Sequence, residues 1–111
     1  EGVMLLTPFA ADADDAATKS FVSAYQEKFG DIPNQFAADA YDAIYIIKAA
    51  AEKAGITADM SASDICEAMK TAMTEITVDG LTGAGITWSA DGEPSKDPKA
   101  VVINNGAYTA M

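Results

Sequence analysis

The chemically capable residues in this chain are mostly acids. Asp39 and Asp42 lie three positions apart, which places two carboxylates side by side on one helical turn. Paired acids of this kind can move protons or hold a divalent cation. The simpler reading, adopted here, makes them solvated acids or acids facing the positive end of a helix dipole. A second cluster, Asp12-Ala13-Asp14-Asp15, lacks the central glycine and distal glutamate of a calcium loop, so it reads as a helix cap. Cys66 is the single cysteine, and the chain has no histidine. A thiol without an imidazole to activate it reads as a half-buried helix side chain. Gly80, Gly83 and Gly85 are spaced G-x-x-G-x-G. They precede a strand pattern and not a helix, which disqualifies a phosphate-binding loop. These residues predict no catalytic site, no metal site, no cofactor and no enzyme.

Composition bounds the partners. A length of 111 residues allows one domain, and half of them are hydrophobic, so the chain is globular and can bury a core. A net charge of −10 repels nucleic acid and anionic membrane alike, and both are excluded. One cysteine permits no intramolecular disulfide and leaves the compartment open. No apolar run approaches the roughly 20 residues needed to span a bilayer. The chain opens on Glu1-Gly2-Val3 without a methionine or a leader, inside a strand pattern, and is expected to be a processed or excised piece.

The element that organises the rest runs from Asn34 to Gly55. Phe36, Ala40, Tyr41, Ile44, Ile47 and Ala51 recur at three- and four-residue spacing, which predicts an amphipathic helix with this stripe as its apolar face. Asp39, Asp42, Lys48, Glu52 and Lys53 fall off the stripe. Pro33 and Gly55 bracket it. Before it, Val3–Leu6 is a continuous apolar run stopped at Thr7-Pro8, the pattern of a buried strand in a parallel sheet. Asp15 should open a helix over 16–29, with Phe21, Val22, Tyr25 and Phe29 buried and Gly30 ending it. After it, Ser61 and Asp64 stand in capping-box spacing ahead of a third helix with Ile65, Met69, Met73 and Ile76 on its apolar face. The end of the chain reads as strands: Ala84–Ser89, a turn at Asp91-Gly92, Ala100–Ile103, then a turn at Asn105-Gly106 into a short strand around Tyr108.

Several segments carry a resemblance. F-V-S-A-Y-Q-E-K-F-G over residues 21–30 is similar to an F-x-x-x-Y-x-x-x-[FY]-G helix, and D-I-P-N-Q-F-A-A-D-A-Y-D-A to a pocket-edge segment with its following helix. G-L-T-G-A-G-I-T-W-S-A-D-G-E-P resembles a G-x-x-G-x-x-x-F-x-x-x-G-[DE] turn region, and E-G-V-M-L-L-T-P-F and V-V-I-N-N-G-A-Y resemble crossover and closing strands. In this order they resemble the C-terminal third of type I periplasmic solute-binding proteins, the branched-chain or hydrophobic amino-acid receptors of ABC transporters. The resemblance implies an α/β fold, part of a two-lobe flavodoxin-like (Rossmann-like) architecture. Residues 1–9 would be a strand and hinge crossover, 10–98 the helical part and turn region of one lobe, and 99–111 the return strands.

That resemblance implies a non-catalytic, extracytoplasmic role, in the periplasm or lipid-anchored at the cell surface. A small-molecule amino acid and ABC permease subunits would be the partners. Phe36 would line the ligand pocket; by its pattern alone it reads as a core residue at a helix start. Thr7 and Pro8 would form a hinge crossover. The residues that hold the ligand ammonium and carboxylate would lie upstream of Glu1, so this piece is expected not to bind by itself. Exposed apolar strand and helix surface would make it a homodimer, or exchange elements between copies. Two alternatives stand beside this reading: a ligand-sensing receptor domain of the same fold, and a small helical dimerisation module using the stripe on residues 36–51.

Overall fold

In the computed structural model, which describes residues 1–111, the order is β1 (Met4–Thr7), α1 (Ala16–Phe29), α2 (Gln35–Ala54), α3 (Ala62–Met73), β2 (Val78–Gly80), β3 (Gly83–Ile86), β4 (Lys99–Asn104) and β5 (Ala107–Ala110). Local chemistry sets the helix ends. Asp15 accepts a hydrogen bond from the Thr18 N–H at 2.8 Å, satisfying a donor that the first turn leaves without a partner. The same N–H holds the Asp15 carboxyl below its ordinary pKa. Gly30 ends α1 in the left-handed region, φ 74°, returning its N–H to Gln26 O; a side chain would be strained there. Ser61 caps α3 by accepting the Asp64 N–H at 3.1 Å. The Asp64 side chain is too short to reach back to the cap backbone, and it accepts the Ser61 hydroxyl instead, at 2.7 Å.

The chain packs as two compact units, residues 1–40 with 97–111, and residues 41–96. The first unit holds a three-stranded antiparallel sheet in the order β1-β4-β5. β1 pairs with β4 in the register Met4↔Val102 to Thr7↔Lys99, and β4 with β5 through Val101↔Ala110 to Asn104↔Ala107. Asn105 and Gly106, at φ 52° and 75°, make the tight turn whose twist matches such a hairpin. Two carboxylates lock this sheet's ends. Glu1 accepts the N–H groups of Asn105 and Gly106 at 2.9 and 2.8 Å, and Asp12 accepts the Ala110 N–H at 3.0 Å. Phe9, Ala10, Thr18, Pro33, Ala38 and Val101 are the buried residues. Phe9 meets Phe21 of α1 edge-to-face, with ring centroids 5.9 Å apart.

The parallel-sheet reading of β1 is wrong. Its neighbour is antiparallel, and the strand is an edge, with Leu6 74% exposed and Val3, Met4 and Leu5 also open to solvent. An apolar run carries no information about the direction of its partner, and here the partner lies almost a chain length away. The aromatic face of α1 is also shallower than expected. Phe21, Val22 and Tyr25 are half-buried, and Phe29 is exposed, its ring tilted against Tyr25 at 4.6 Å between centroids and lying beneath the Lys28 ammonium.

In the second unit, β2 and β3 form a two-stranded antiparallel hairpin with Val78↔Ile86 and Gly80↔Gly83 opposed. Val78–Gly80, read as a glycine-rich connection, is a strand. Ile86, Leu81, Thr82, Ala50, Ala72 and Asp42 are buried, and Ile65, Met69, Met73 and Ile76 of the α3 region are half-buried as the periodicity predicts. Asp91-Gly92 turns the chain as expected, with Gly92 at φ 86° and its N–H bonded to Ser89 O. Cys66 is exposed, not half-buried.

The largest correction concerns α2. The apolar stripe exists but faces outward: Tyr41, Ile44 and Ile47 are exposed, as is Phe36 nearer the helix start. The buried positions are Ala38, Asp42 and Ala50, on the opposite side of the helix. Asp42, read as a solvated acid, is 3% exposed. Its Oδ1 accepts the Leu81 N–H at 2.9 Å; its Oδ2 accepts the Thr82 N–H at 2.9 Å and the Thr82 hydroxyl at 2.7 Å. Three donors offset the cost of burying a carboxylate. The β2–β3 turn is thereby fastened to α2 through its backbone. Gly80 faces the Asp42 carboxylate so closely that a Cβ there would lie 2.5 Å from Oδ2, so the position has no room for a side chain.

Candidate functional site

Phe36, the residue expected to line the ligand pocket, falls in the first unit, at the start of α2. Pro33 is buried and sets the chain's approach to the helix. Asn34 is the cap: its Oδ1 accepts the Ala37 N–H at 3.1 Å, and its carbonyl accepts the Ala38 N–H at 3.2 Å. Gln35 is the first helical residue and Phe36 the second. Side chains two positions apart on a helix point to nearly opposite sides. Ala38, with no exposed surface, is turned inward, and so Phe36 is turned out, 70% exposed. That removes the core reading of Phe36.

Thr7 and Pro8 leave the end of β1 for this same place. The Thr7 hydroxyl accepts the Phe9 N–H at 3.3 Å and donates to Gln35 Oε1 at 2.8 Å, across 28 residues of sequence. Thr7 and the residue next to Phe36 are therefore in direct contact. Gln35 had no signal in the sequence beyond its position at a helix start. A large aromatic ring standing clear of a capped first turn, with helix N–H groups beside it, can pack against an apolar ligand carrying an anionic group.

Asp39 and Asp42 do not act as a pair: Asp42 is consumed by the turn at Leu81 and Thr82, and Asp39 is half-buried. Asp12, Asp14 and Asp15 diverge too, to Ala110, Lys19 and Thr18 respectively. No group of histidine, cysteine and acidic side chains is arranged to hold a metal ion. No helix is long and apolar enough to cross a membrane. On the outer side of α2 in the second unit, Tyr41 and Tyr45 stand one turn apart, with hydroxyls 3.3 Å from each other. That hydrogen bond to Tyr45 raises the pKa of Tyr41 above its ordinary value.

Comparison with known proteins places the chain. No curated protein sequence matches it. Among solved structures, a protein of Rhodospirillum rubrum described as a branched-chain amino-acid ABC transporter is 31% identical, with a TM-score of 0.71. The match covers 100% of this chain and 31% of that one. A leucine-binding protein of Thermotoga maritima is 26% identical with a TM-score of 0.74, covering 100% of this chain and 30% of its own. A substrate-binding protein of Desulfitobacterium hafniense, solved with leucine, shares the fold at 20% identity and a TM-score of 0.80, again over 100% of this chain and 31% of that one. The three helices and short strands thus match part of the type I periplasmic-binding-protein fold, and the chain spans about a third of the length of these relatives. The sequence pattern of a family described as periplasmic binding protein matches residues 1–107, a family of solute binders and not of enzymes. The chain belongs to the periplasmic binding protein family.

Proposed function

We propose that this chain forms part of an extracytoplasmic substrate-binding component of an ABC transporter for branched-chain or other hydrophobic amino acids. The observation that carries this reading is Phe36, an aromatic ring 70% exposed on the capped first turn of α2. The kinship with a leucine-binding protein supports an aliphatic side chain as what that ring meets. In this reading residues 1–9 are a hinge crossover through Thr7 and Pro8, 10–98 belong to one lobe, and 99–111 return the chain. The role is capture and delivery to permease subunits, not catalysis, and the place of action is the periplasm or the outer face of the cell membrane.

Thermal unfolding with L-leucine tests it, on residues 1–111 and on the protein expressed from its full reading frame. Ligand at a hundred times its dissociation constant adds about 2.7 kcal/mol to the native state. A shift in the full-frame protein, weakened about ten-fold in affinity by Phe36→Ala with apo stability unchanged, is the expected result. No shift with leucine or with pooled amino acids in either protein overturns the assignment.

A second reading concerns assembly. β1 is an edge strand whose exposed residues, Met4 to Leu6, carry no charge or proline to block strand pairing. We propose that residues 1–111 self-associate through this edge. Sedimentation should give a concentration-dependent dimer that Leu6→Lys abolishes; a monomer at every concentration refutes it.

A further inference from the structure

Two of the chain's passages meet at Thr7. It is the last residue of β1, paired with Lys99, the first residue of β4. Pro8 follows, which holds Thr7 in an extended conformation. Phe9 is buried and packs edge-to-face on Phe21 of α1. The Thr7 hydroxyl has one proton, and Gln35 Oε1 at 2.8 Å is a nearer acceptor than Phe9 O at 3.1 Å. The crossover is therefore anchored on one side to α1 through an aromatic contact, and on the other to α2 through a single side-chain hydrogen bond.

We propose that Gln35 is a positioning residue that couples this crossover to the aromatic wall formed by Phe36. The inference rests on the function proposed above for Phe36 and Thr7-Pro8. Gln35 is the first residue of α2 and directly precedes Phe36. A backbone rotation at Thr7-Pro8 must either break the Thr7–Gln35 bond or carry the first turn of α2, and Phe36 with it. Hinge movement and ligand contact are then one event, because the bond joins the residue that rotates to the residue beside the ring. The Asn34 cap makes the turn rigid enough to transmit the displacement, since Ala37 and Ala38 N–H groups are both tied to that residue.

A double-mutant cycle tests the coupling. Thr7→Val and Gln35→Ala each remove the bond, whereas Thr7→Ser keeps the donor and Gln35→Glu keeps an acceptor. Hydrogen exchange at the Ala37 and Ala38 amides of residues 1–111 is the first readout. Each disrupting variant should speed exchange there by about five-fold, the worth of one ordinary hydrogen bond. The double variant should be no faster than either single one, and the conservative variants should match the wild type. Effects of Thr7→Val and Gln35→Ala that multiply in the double variant, or no change in Gln35→Ala, overturn the proposal. The second readout is L-leucine affinity of the full-frame protein, expected to fall about five-fold in Gln35→Ala and to be kept in Gln35→Glu. Unchanged affinity in Gln35→Ala refutes the positioning role. If the wild type itself takes no leucine, the amino-acid reading fails, and the exchange cycle alone decides whether the bond couples the two segments.

Discussion

Replacing Asp42 by alanine should be among the most damaging single changes available in this chain. The carboxylate is 3% exposed and accepts three hydrogen bonds at 2.7–2.9 Å. Its removal takes the Asp42 acceptor away from the buried N–H groups of Leu81 and Thr82, each lost bond costing about 1–3 kcal/mol. Relief from burying a charge returns part of this, so the net expectation is about 2–4 kcal/mol. That is a large share of the 5–15 kcal/mol typical of a small domain. Asp42→Asn should cost less, about 1–3 kcal/mol, because its carbonyl can still accept one backbone N–H while its amide meets the other donor. Gly80 supplies an independent check. A Cβ there would lie 2.5 Å from Asp42 Oδ2 and 2.7 Å from its Cγ, so Gly80→Ala must displace the carboxylate from its donors. In the Asp42→Ala background that obstacle is gone, and the added cost of Gly80→Ala should nearly vanish. Urea unfolding followed by far-UV circular dichroism and by the fluorescence of Trp88, in the same unit, measures the wild type and the four variants. A midpoint for Asp42→Ala within about 0.5 kcal/mol of wild type, or additive effects in the double variant, would refute the fastening role of this carboxylate.

Other expectations rest on local geometry. Asp15 has its pKa lowered in the folded state by the Thr18 N–H, so its cap contribution is present above the ordinary aspartate value of 3.8 and disappears as pH falls through the lower folded value. Asp15→Ala should cost about 1 kcal/mol at pH 7, and the difference from wild type in thermal melts should shrink as pH falls below 3.8. Gly106→Ala has free space around the added carbon but sits at φ 75°, so backbone strain alone should lower stability by about 1–2 kcal/mol, whereas Asn105→Gly should be nearly neutral in the same melts. Tyr41 titrates above its ordinary value because it is bonded to Tyr45; that contribution holds below pH 10 and fades as pH rises through the folded value. Ultraviolet titration should show the late-ionising phenol lost in Tyr45→Phe; an unchanged curve would count against the pairing.

Much of the local structure was legible in the sequence because its causes are local. Asp15 and Gly30 bound α1 at the residues expected, Ser61 caps α3, and Asn105-Gly106 forms the final hairpin, since each depends on neighbours within a few residues. Segment order also carried the family resemblance, and with it the expectation that Phe36 is more than a core residue. What no local pattern could supply is which side of an element faces inward and what it meets there. The spacing of Phe36, Tyr41, Ile44 and Ile47 defines a stripe but not its direction. The tertiary structure turns that stripe out and the Asp42 side in, where the carboxylate accepts the N–H groups of Leu81 and Thr82 and the Thr82 hydroxyl. In the same way Met4–Thr7 is evidently a strand, but only its pairing with Lys99–Val102 makes it antiparallel and an edge. Gln35 acquires its importance only when Thr7, 28 residues earlier, is folded against it. Periodicity and capping are set by neighbours in sequence; burial, register and the contacts of the site are set by neighbours in space.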